Sequence, residues 1–333
     1  MSSQFSMKSY MKGALLLTVA ALIVKVLSAV YRVPFQNLVG DQGLYVYQQV
    51  YPFISFFVVW TSGGVAVAIS KMLADTNEEG IKQSITKVIF QYLTVLSLLF
   101  FALLFFGAHM LSSWMGDPLL APLLKTGAFI TLCMPALAIM KGTFQSRGMM
   151  EPVAYAQVFE QAIRVSIILI GTIIVMTTLS QSVYAAGNMA VLGTVIGELA
   201  GVILLFVYMK KKGILCKEST IISKWPIIRE VTIFSITVSM SSLLLLAYQL
   251  VDSFTVFSML VDLGMPTLEA METKGIYDRG QPLVQLGIVI ASSFSLAIVP
   301  LVAHKSKKGT RDEVPYIQLT YRASLLFGLA ASL

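Results

Sequence analysis

Residues 95–101 read Val-Leu-Ser-Leu-Leu-Phe-Phe, and this stretch decides the fold class of the chain. It lies within an apolar segment at residues 84–107, and its apolar and polar residues do not alternate. A membrane β-strand needs such alternation over about ten residues. An α-helix satisfies its backbone hydrogen bonds within its own segment and needs about 20 apolar residues to span a bilayer. The stretch therefore predicts a transmembrane α-helix.

Segments of this kind repeat along the whole chain. Hydrophobic residues make up 56% of the 333 residues and charged residues only 12%, and the mean hydropathy is +0.80. This composition is far from that of an ordinary globular protein. We predict an all-α polytopic membrane protein with nine spans, at residues 13–37, 44–70, 84–107, 120–141, 153–178, 184–209, 228–260, 282–303 and 315–333.

Lysine and arginine residues mark alternate loops between these spans. With a cytoplasmic N-terminus, 17 of the 24 basic residues fall in predicted cytoplasmic regions, including Lys141 at the end of the fourth span. Only Lys274 and Arg279 fall in predicted outside loops. Cytoplasmic loops of membrane proteins carry this excess. We therefore expect a multi-pass protein of the cell membrane whose N-terminus is cytoplasmic, and the pI of 9.3 reflects loops rather than nucleic-acid binding.

Residues that commonly carry covalent chemistry are scarce. The two cysteines, Cys133 and Cys216, indicate no disulfide framework. The two histidines, His109 and His304, fall at loop edges on opposite sides of the membrane. The absence of an HExxH motif and of an aspartate-rich acceptor loop disfavours an intramembrane protease or glycosyltransferase. We expect no enzyme activity, no catalytic residue, no metal site and no cofactor.

Charged residues within the spans are candidates for function, because ionisable groups are expensive in a membrane. Glu160 and Arg164 lie four residues apart on one face of the fifth span, in the favourable order for an ion pair. One interpretation is a clamp between packed helices. The other, which we prefer, is a charged wall of a central translocation cavity.

The first span carries a basic stripe. Lys25 lies about 20 Å along the helix from Lys12, too deep for easy snorkelling. Arg32 follows seven residues later on nearly the same face, where it can bind substrate or extend to the outer surface. We predict that both residues contact the head group of an anionic substrate.

Two acidic residues complete the set of candidates. Asp252, late in the seventh span, can neutralise a basic residue, bind a coupling cation or lie at the outer interface. Glu198, in the middle of the sixth span, can pair with a basic residue across the bundle or take part in proton coupling. In the same span, Gly193, Gly197 and Gly201 form two overlapping GxxxG units, which we expect to pack against another helix of the chain.

Several motifs resemble a known family. They are Tyr31-Arg32-Val33-Pro34-Phe35, the run from Gly40 to Tyr45 with Gln48 and Tyr51-Pro52, Ala68 to Lys71, Phe144 to Pro152, and Gln157 to Arg164. Together they resemble the stage V sporulation protein B-like polysaccharide-biosynthesis proteins. That family belongs to the multidrug/oligosaccharidyl-lipid/polysaccharide (MOP) exporter superfamily, which includes the lipid II flippase MurJ.

The resemblance implies two six-helix lobes around a central cavity that opens to alternate sides, with twelve to fourteen spans. Residues 1–212 would form the first lobe, 213–227 a cytoplasmic linker and 228–333 a truncated second lobe of three helices. The ninth span is barely long enough to cross, and the chain ends without a flanking loop. We therefore expect the chain to be a fragment of a longer protein.

The resemblance also implies a function in sporulation or cell-wall synthesis. In the flippase relatives, basic residues on the first helix bind a lipid-linked pyrophosphate, and Lys25 and Arg32 are the nearest equivalents here. The flippases have an Arg-Asp dipeptide after this helix, whereas Val33 follows Arg32. We expect a flippase of an undecaprenyl-pyrophosphate-linked oligosaccharide or peptidoglycan precursor, acting as a monomer among membrane lipids.

Two alternatives remain at this point. A cation-coupled multidrug exporter of the same superfamily would prefer an acidic cavity, but the predicted spans contain five basic residues and three acidic ones. The basic residues are Lys25, Arg32, Lys125, Arg164 and Arg322, and the acidic ones are Glu160, Glu198 and Asp252. The second alternative is a non-transporting scaffold for envelope assembly.

Overall fold

The computed structural model describes residues 7–214 and 223–280, together with Gln318, Tyr321, Arg322, Leu325 and Leu326. The regular structure of these residues is helical and includes no strand, which confirms the predicted all-α class. The α-helices are α1 (Met7–Val59), α2 (Ala66–Ala74), α3 (Glu79–Phe106), α4 (Ala108–Trp114), α5 (Ala121–Ser146), α6 (Glu151–Ile173), α7 (Val183–Lys211), α8 (Lys224–Asp262) and α9 (Thr267–Asp278). A π-helical segment, Trp60–Val65, joins α1 to α2, and a second, Ile174–Thr178, extends α6.

Helix α1 is a hairpin of two helical arms. Gly40 interrupts it with φ 68° and ψ −170°, a conformation that only glycine adopts readily. Tyr31 and Tyr47 would be about 24 Å apart along a straight helix, yet their hydroxyl oxygens lie 3.4 Å apart. The chain therefore reverses direction at Gly40. The first arm, residues 7–39, corresponds to the first predicted span. The second arm, residues 41–59, continues through the π-helical segment into α2, and together they correspond to the second predicted span, 44–70.

Helix α3 shows how a span divides its faces between protein and lipid. Ser97 is buried, and its hydroxyl donates a hydrogen bond of 2.7 Å to the carbonyl of Thr131 on α5. The Thr131 hydroxyl lies 3.2 Å from the Ser97 carbonyl in return. Leu98 and Leu99 point away from the bundle and are exposed. A polar contact inside and an apolar face outside are typical of helix packing in a membrane.

The observed helices agree with the predicted spans. Among the described residues, six helical stretches are long and apolar enough to cross a membrane, and the first, Leu15–Ala74, contains both arms of the hairpin. The others are Glu79–Phe106, Pro118–Ser146, Glu151–Thr178, Val183–Lys211 and Ser242–Asp262. The predicted span 282–303 and nearly all of 315–333 lie outside the described residues.

Close packing of α7 against α6 depends on the three predicted glycines. A Cβ atom at Gly197 would lie 2.9 Å from the carbonyl oxygen of Glu160 and 3.0 Å from Cβ of Arg164. Gly193 lies in the same way against Ile168. The expected packing within the chain is thus confirmed, and it brings the charged residues of α6 next to α7.

Helix α8 packs along the α1–α7 bundle. The indole nitrogen of Trp60 donates to the Ser235 hydroxyl at 3.3 Å, and the hydroxyl oxygens of Tyr92 and Thr232 lie 3.0 Å apart. Gly64, in the π-helical segment, lies against Ser235 and Ser239. The residues up to Lys274 form one compact unit, and Gly275–Leu333 belong to a second.

Candidate functional site

The centre of the site is a buried ion-pair network on α6 and α7. Arg164 Nη2 lies 3.0 Å from Glu160 Oε1 and 2.8 Å from Glu198 Oε1. The side chains of Arg164, Glu160 and Glu198 are only 16%, 9% and 2% exposed. The predicted Glu160–Arg164 pair is present, and Glu198 meets a basic residue across the bundle, one of its two expected roles.

Lys141 is a fourth member of the network, and our prediction that it lies in a cytoplasmic region was wrong. Its side chain is 2% exposed, and its Nζ lies 3.6 Å from Glu160 Oε2. Lys141 Nζ also donates to the Ser62 hydroxyl at 2.9 Å. The physical reason is that α5 continues to Ser146, so that Lys141 lies inside a packed helix rather than at its end.

The network is balanced in formal charge, because it contains two carboxylates and two basic groups. A buried charge that has lost its partner is strongly destabilising, so this balance is what allows the four ionisable groups to remain inside the bundle. A sequence signal for Lys141 did exist. The span continues without a charged residue after Lys141, through Gly142, Thr143 and Phe144. In addition, the predicted spans 153–178 and 184–209 contain two acidic residues, Glu160 and Glu198, but only one basic residue, Arg164, to balance them.

A chain of polar side chains links the network to the first arm of α1. Arg164 Nη1 donates to the Gln161 side chain at 3.2 Å, and Gln161 Nε2 lies 3.0 Å from the Ser28 hydroxyl oxygen. Ser28 shares a helix face with Lys25, three residues earlier, and Arg32, four residues later. The basic stripe therefore lies on the face of α1 that meets α6.

Arg32 lies beside a cluster of tyrosines at the end of this arm. Its guanidinium carbon is 5.8 Å from the centroid of the Tyr51 ring, a cation–π geometry. Tyr47 lies beside Tyr51, with ring centroids 5.8 Å apart, and reaches the Tyr31 hydroxyl. Arg32 Nη1 is buried and has no hydrogen-bond partner among the described residues. Lys25 is exposed.

Asp252 belongs to a different part of the molecule. It is buried on α8 and has an interaction partner. The carbonyl of the next residue, Ser253, accepts a hydrogen bond of 3.2 Å from Gln49 on the second arm of α1. Asp252 thus lies where α8 packs on α1, whereas the four residues of the ion-pair network lie on α5, α6 and α7.

Residues near span ends show other contacts. Lys125 Nζ lies 3.2 Å from His109 Nε2 and 5.9 Å from the centroid of the Phe105 ring. Arg322 is exposed. In the part of the chain that the structure describes, no cluster of three or more His, Cys, Asp or Glu residues could hold a metal ion.

Sequence reasoning missed a second polar cluster, around Asp117. This buried carboxylate accepts hydrogen bonds from the Tyr184 hydroxyl at 2.7 Å and the Tyr45 hydroxyl at 3.2 Å. It also accepts the backbone N–H of Leu119 at 3.1 Å. The Tyr45 ring lies 4.7 Å from Phe257 of α8. The cluster fixes the second arm of α1, the start of α5, α7 and α8 to one another.

Comparison with known proteins supports the resemblance. Residues 10–305 match the family described as polysaccharide biosynthesis protein. In Bacillus subtilis (strain 168), the uncharacterized membrane protein YabM is 38% identical over 326 residues, which cover 96% of this chain and 61% of YabM. Stage V sporulation protein B is 35% identical over 213 residues, covering 62% of this chain and 40% of that protein. Lipid II flippase MurJ is 22% identical over 318 residues, covering 90% and 58%.

Solved structures show the same fold. An inward-facing multidrug resistance MATE family transporter of the MOP superfamily matches with a TM-score of 0.63 at 13% identity, over 95% of this chain and 71% of that transporter. The chain spans between 40% and 61% of the length of the three relatives. By its sequence match over most of its length, the chain belongs to the polysaccharide biosynthesis protein family.

Proposed function

We propose that the protein is a flippase of the cytoplasmic membrane that moves an undecaprenyl-pyrophosphate-linked oligosaccharide or peptidoglycan precursor by alternating access. The lipid tail would stay in the bilayer while the head group passes along the face of α1 that carries Lys25 and Arg32. Membership of the polysaccharide biosynthesis family and the relation to a lipid II flippase support this substrate class.

The observation that carries the proposal is the location of the unbalanced positive charge. Lys141, Arg164, Glu160 and Glu198 balance one another, so the network attracts neither sign of ligand strongly. Arg32 does not belong to this network, and its Nη1 is buried without a hydrogen-bond partner among the described residues. A pyrophosphate oxygen would provide that partner through a charge-assisted hydrogen bond. A cationic drug would be repelled there.

In this scheme the network supports the binding face rather than forming all of it. Arg164 holds Gln161, and Gln161 holds Ser28 between Lys25 and Arg32. Asp252 on α8 would contribute to the facing wall of the cavity. Glu198 is the proposed coupling residue, because adding or removing one charge there would unbalance the network.

The direction of transport fits the membrane potential. An anionic head group that moves from the cytoplasm outward is driven by an inside-negative potential, at about 2.3 kcal/mol per charge per 100 mV. The cell-membrane location and the cytoplasmic N-terminus are part of this proposal.

The test is binding of two lipids to the purified protein in nanodiscs. One lipid carries a pyrophosphate-linked sugar, and the other carries the same chain and sugar without the pyrophosphate. The double variant Lys25→Ala/Arg32→Ala should weaken binding of the first lipid by about tenfold or more, because it removes charge-assisted contacts. Binding of the second lipid should barely change.

Lys87→Ala is the matched control, since Lys87 is an exposed lysine on α3 away from this face. It should leave both affinities unchanged. Equal binding of the pyrophosphate lipid by wild type and the double variant would remove the basis for the proposed path. The multidrug exporter or the assembly scaffold would then be the better interpretation.

A further inference from the structure

A cavity of about 270 Å³ lies on the side of the bundle where α3 begins and where α5 and α7 end. Its polar lining includes Glu79, Lys82, Thr143 and Arg147, and its apolar lining includes Leu73 and Met209. This is the predicted cytoplasmic side. The cavity is distinct from the ion-pair network and shares no lining residue with it.

Two basic side chains converge on a single carboxylate at this cavity. Lys82 Nζ lies 3.0 Å from Glu79 Oε1, and Arg147 Nη2 lies 3.2 Å from Glu79 Oε2. Arg147 comes from the end of α5, so the geometry is set by the packing of α5 on α3. The pair of cations is therefore already placed to hold two oxygen atoms of one anion.

Glu79 is a weakly held occupant of this position. Its side chain is 58% exposed, and exposed ion pairs contribute about 0–1 kcal/mol. A free ligand with more negative charge can displace it. After displacement, Lys82 and Arg147 would face the ligand with two positive charges.

Thr143 gives an independent indication of a ligand. It lines the cavity and is only 6% exposed, and its hydroxyl oxygen is buried without a hydrogen-bond partner among the described residues. Buried hydroxyl groups nearly always have a partner. If Lys82 and Arg147 hold an anion with three or more oxygens, one of these oxygens can accept a hydrogen bond from the Thr143 hydroxyl, which would be the third donor.

We propose that this cavity binds a phosphomonoester, with Lys82 and Arg147 on its oxygens in place of Glu79 and Thr143 as a further donor. A phosphomonoester carries about −1.5 to −2 charge and three acceptor oxygens, whereas a carboxylate offers one charge and two oxygens. Leu73 and Met209 provide an apolar edge for the carbon side of the ester. The ligand is either the head group of an anionic lipid or a soluble phosphate ester.

The test uses the purified protein in phosphatidylcholine nanodiscs and two probes. Phosphatidic acid is added to the nanodiscs and its binding is counted by native mass spectrometry, while glycerol 3-phosphate is titrated by calorimetry. We expect at least one probe to bind. The double variant Lys82→Gln/Arg147→Gln should lower its affinity by about tenfold or more, since it removes two charge-assisted contacts.

The opposite change separates a binding role from a structural one. Glu79→Gln removes the internal competitor and should raise the affinity for the same probe, a result that loss of structure could not produce. Lys87→Gln and Glu78→Gln are exposed neighbours on or next to α3 and should change nothing. Binding of phosphatidic acid alone would identify a lipid head group, and binding of glycerol 3-phosphate would identify a soluble ester.

Two results would overturn the proposal. One is that neither probe binds to the wild-type protein. The other is that Glu79→Gln gives no increase in affinity for a probe that does bind.

Discussion

At the residue scale, Lys141 decides the electrostatic state of the bundle interior. It is fully enclosed and lies between Glu160 on α6 and Ser62 in the π-helical segment. Without it, two buried carboxylates would share the single guanidinium of Arg164. The resulting negative charge would have no solvent to stabilise it, and charges in such places are costly.

We therefore predict that Lys141→Met destabilises the protein by about 3–5 kcal/mol, the cost of breaking a buried pair. Adding Glu160→Gln should recover much of the loss, because the remaining Arg164–Glu198 pair is again neutral. Thermal unfolding in detergent measures both effects, with Lys87→Met as the exposed control. If Lys141→Met unfolds at the wild-type temperature, the network does not depend on charge balance.

A charge swap tests whether Glu160 and Arg164 act as an isolated pair. Considered alone, the pair should tolerate Glu160→Arg with Arg164→Glu, since the contact is only reversed. In the structure the swap would place an arginine beside Lys141 and a glutamate beside Glu198. We predict that the double swap is less stable than wild type by several kcal/mol.

Unfolding temperature and membrane yield are the measurements for the swap. If the double swap keeps the stability of the wild type and full transport, the pair is a simple clamp without further partners. The four-residue swap that also includes Lys141→Glu and Glu198→Lys restores opposite charges at every contact. It serves as the matched control and should recover part of the stability.

At the scale of the elements, the π-helical segment Trp60–Val65 links the network to α8. Such segments often occur at functional sites. Ser62 faces Lys141, while Trp60 and Gly64 face α8. One turn of backbone thus contacts both the charged interior and the helix that begins the predicted second lobe.

Adjacent glycines in this segment provide a matched pair of variants. A Cβ atom at Gly64 would collide with Ser239 and with the backbone of Ser235, whereas a Cβ atom at Gly63 would meet nothing within 4 Å. We predict that Gly64→Ala costs about 1–3 kcal/mol through overpacking. Gly63→Ala should be neutral or slightly stabilising. The unfolding temperature and the rate of limited proteolysis near Lys224 measure the stability of both variants. If Gly64→Ala and Gly63→Ala change stability equally, α8 does not pack on this segment as described.

At the scale of the whole molecule, the proposed orientation in the membrane can be tested at the ends of α7 and α8. Helix α7 ends at Lys211 in a basic run, and α8 ends at Asp262. Leu263, just beyond α8, is 85% exposed. Lys274, a residue of the predicted outside loop, is buried and so is a poor position for a label.

We predict that, in intact cells, a cysteine just after α8 is labelled from outside and a cysteine just after α7 is not. In a background with Cys133→Ser and Cys216→Ser, Leu263→Cys should react with a membrane-impermeant maleimide. Lys212→Cys should react only after permeabilisation, because the positive-inside pattern places it in the cytoplasm. The reverse result would invert the proposed orientation and the side assigned to the phosphate cavity.

The sequence by itself determined the class of the protein and the positions of its spans within the described residues. An apolar segment of about 20 residues in a bilayer has one way to satisfy its backbone, so α3 could be predicted from its composition alone. Neighbours along one helix follow from its 3.6-residue turn, which is why the Glu160–Arg164 pair was predicted correctly. The family motifs are short stretches of sequence, so the resemblance could also be identified without the structure.

Only the tertiary structure decided which distant residues meet. Arg164 and Glu198 are 34 positions apart, and Lys141 and Ser62 are 79 apart. Such contacts depend on which face of each helix packs inward, and nearly uniform apolar surfaces do not specify that face. The end of α5 was uncertain for the same reason, because a span boundary depends on the helices around it. That uncertainty is why Lys141 was assigned to a cytoplasmic region instead of the protein interior.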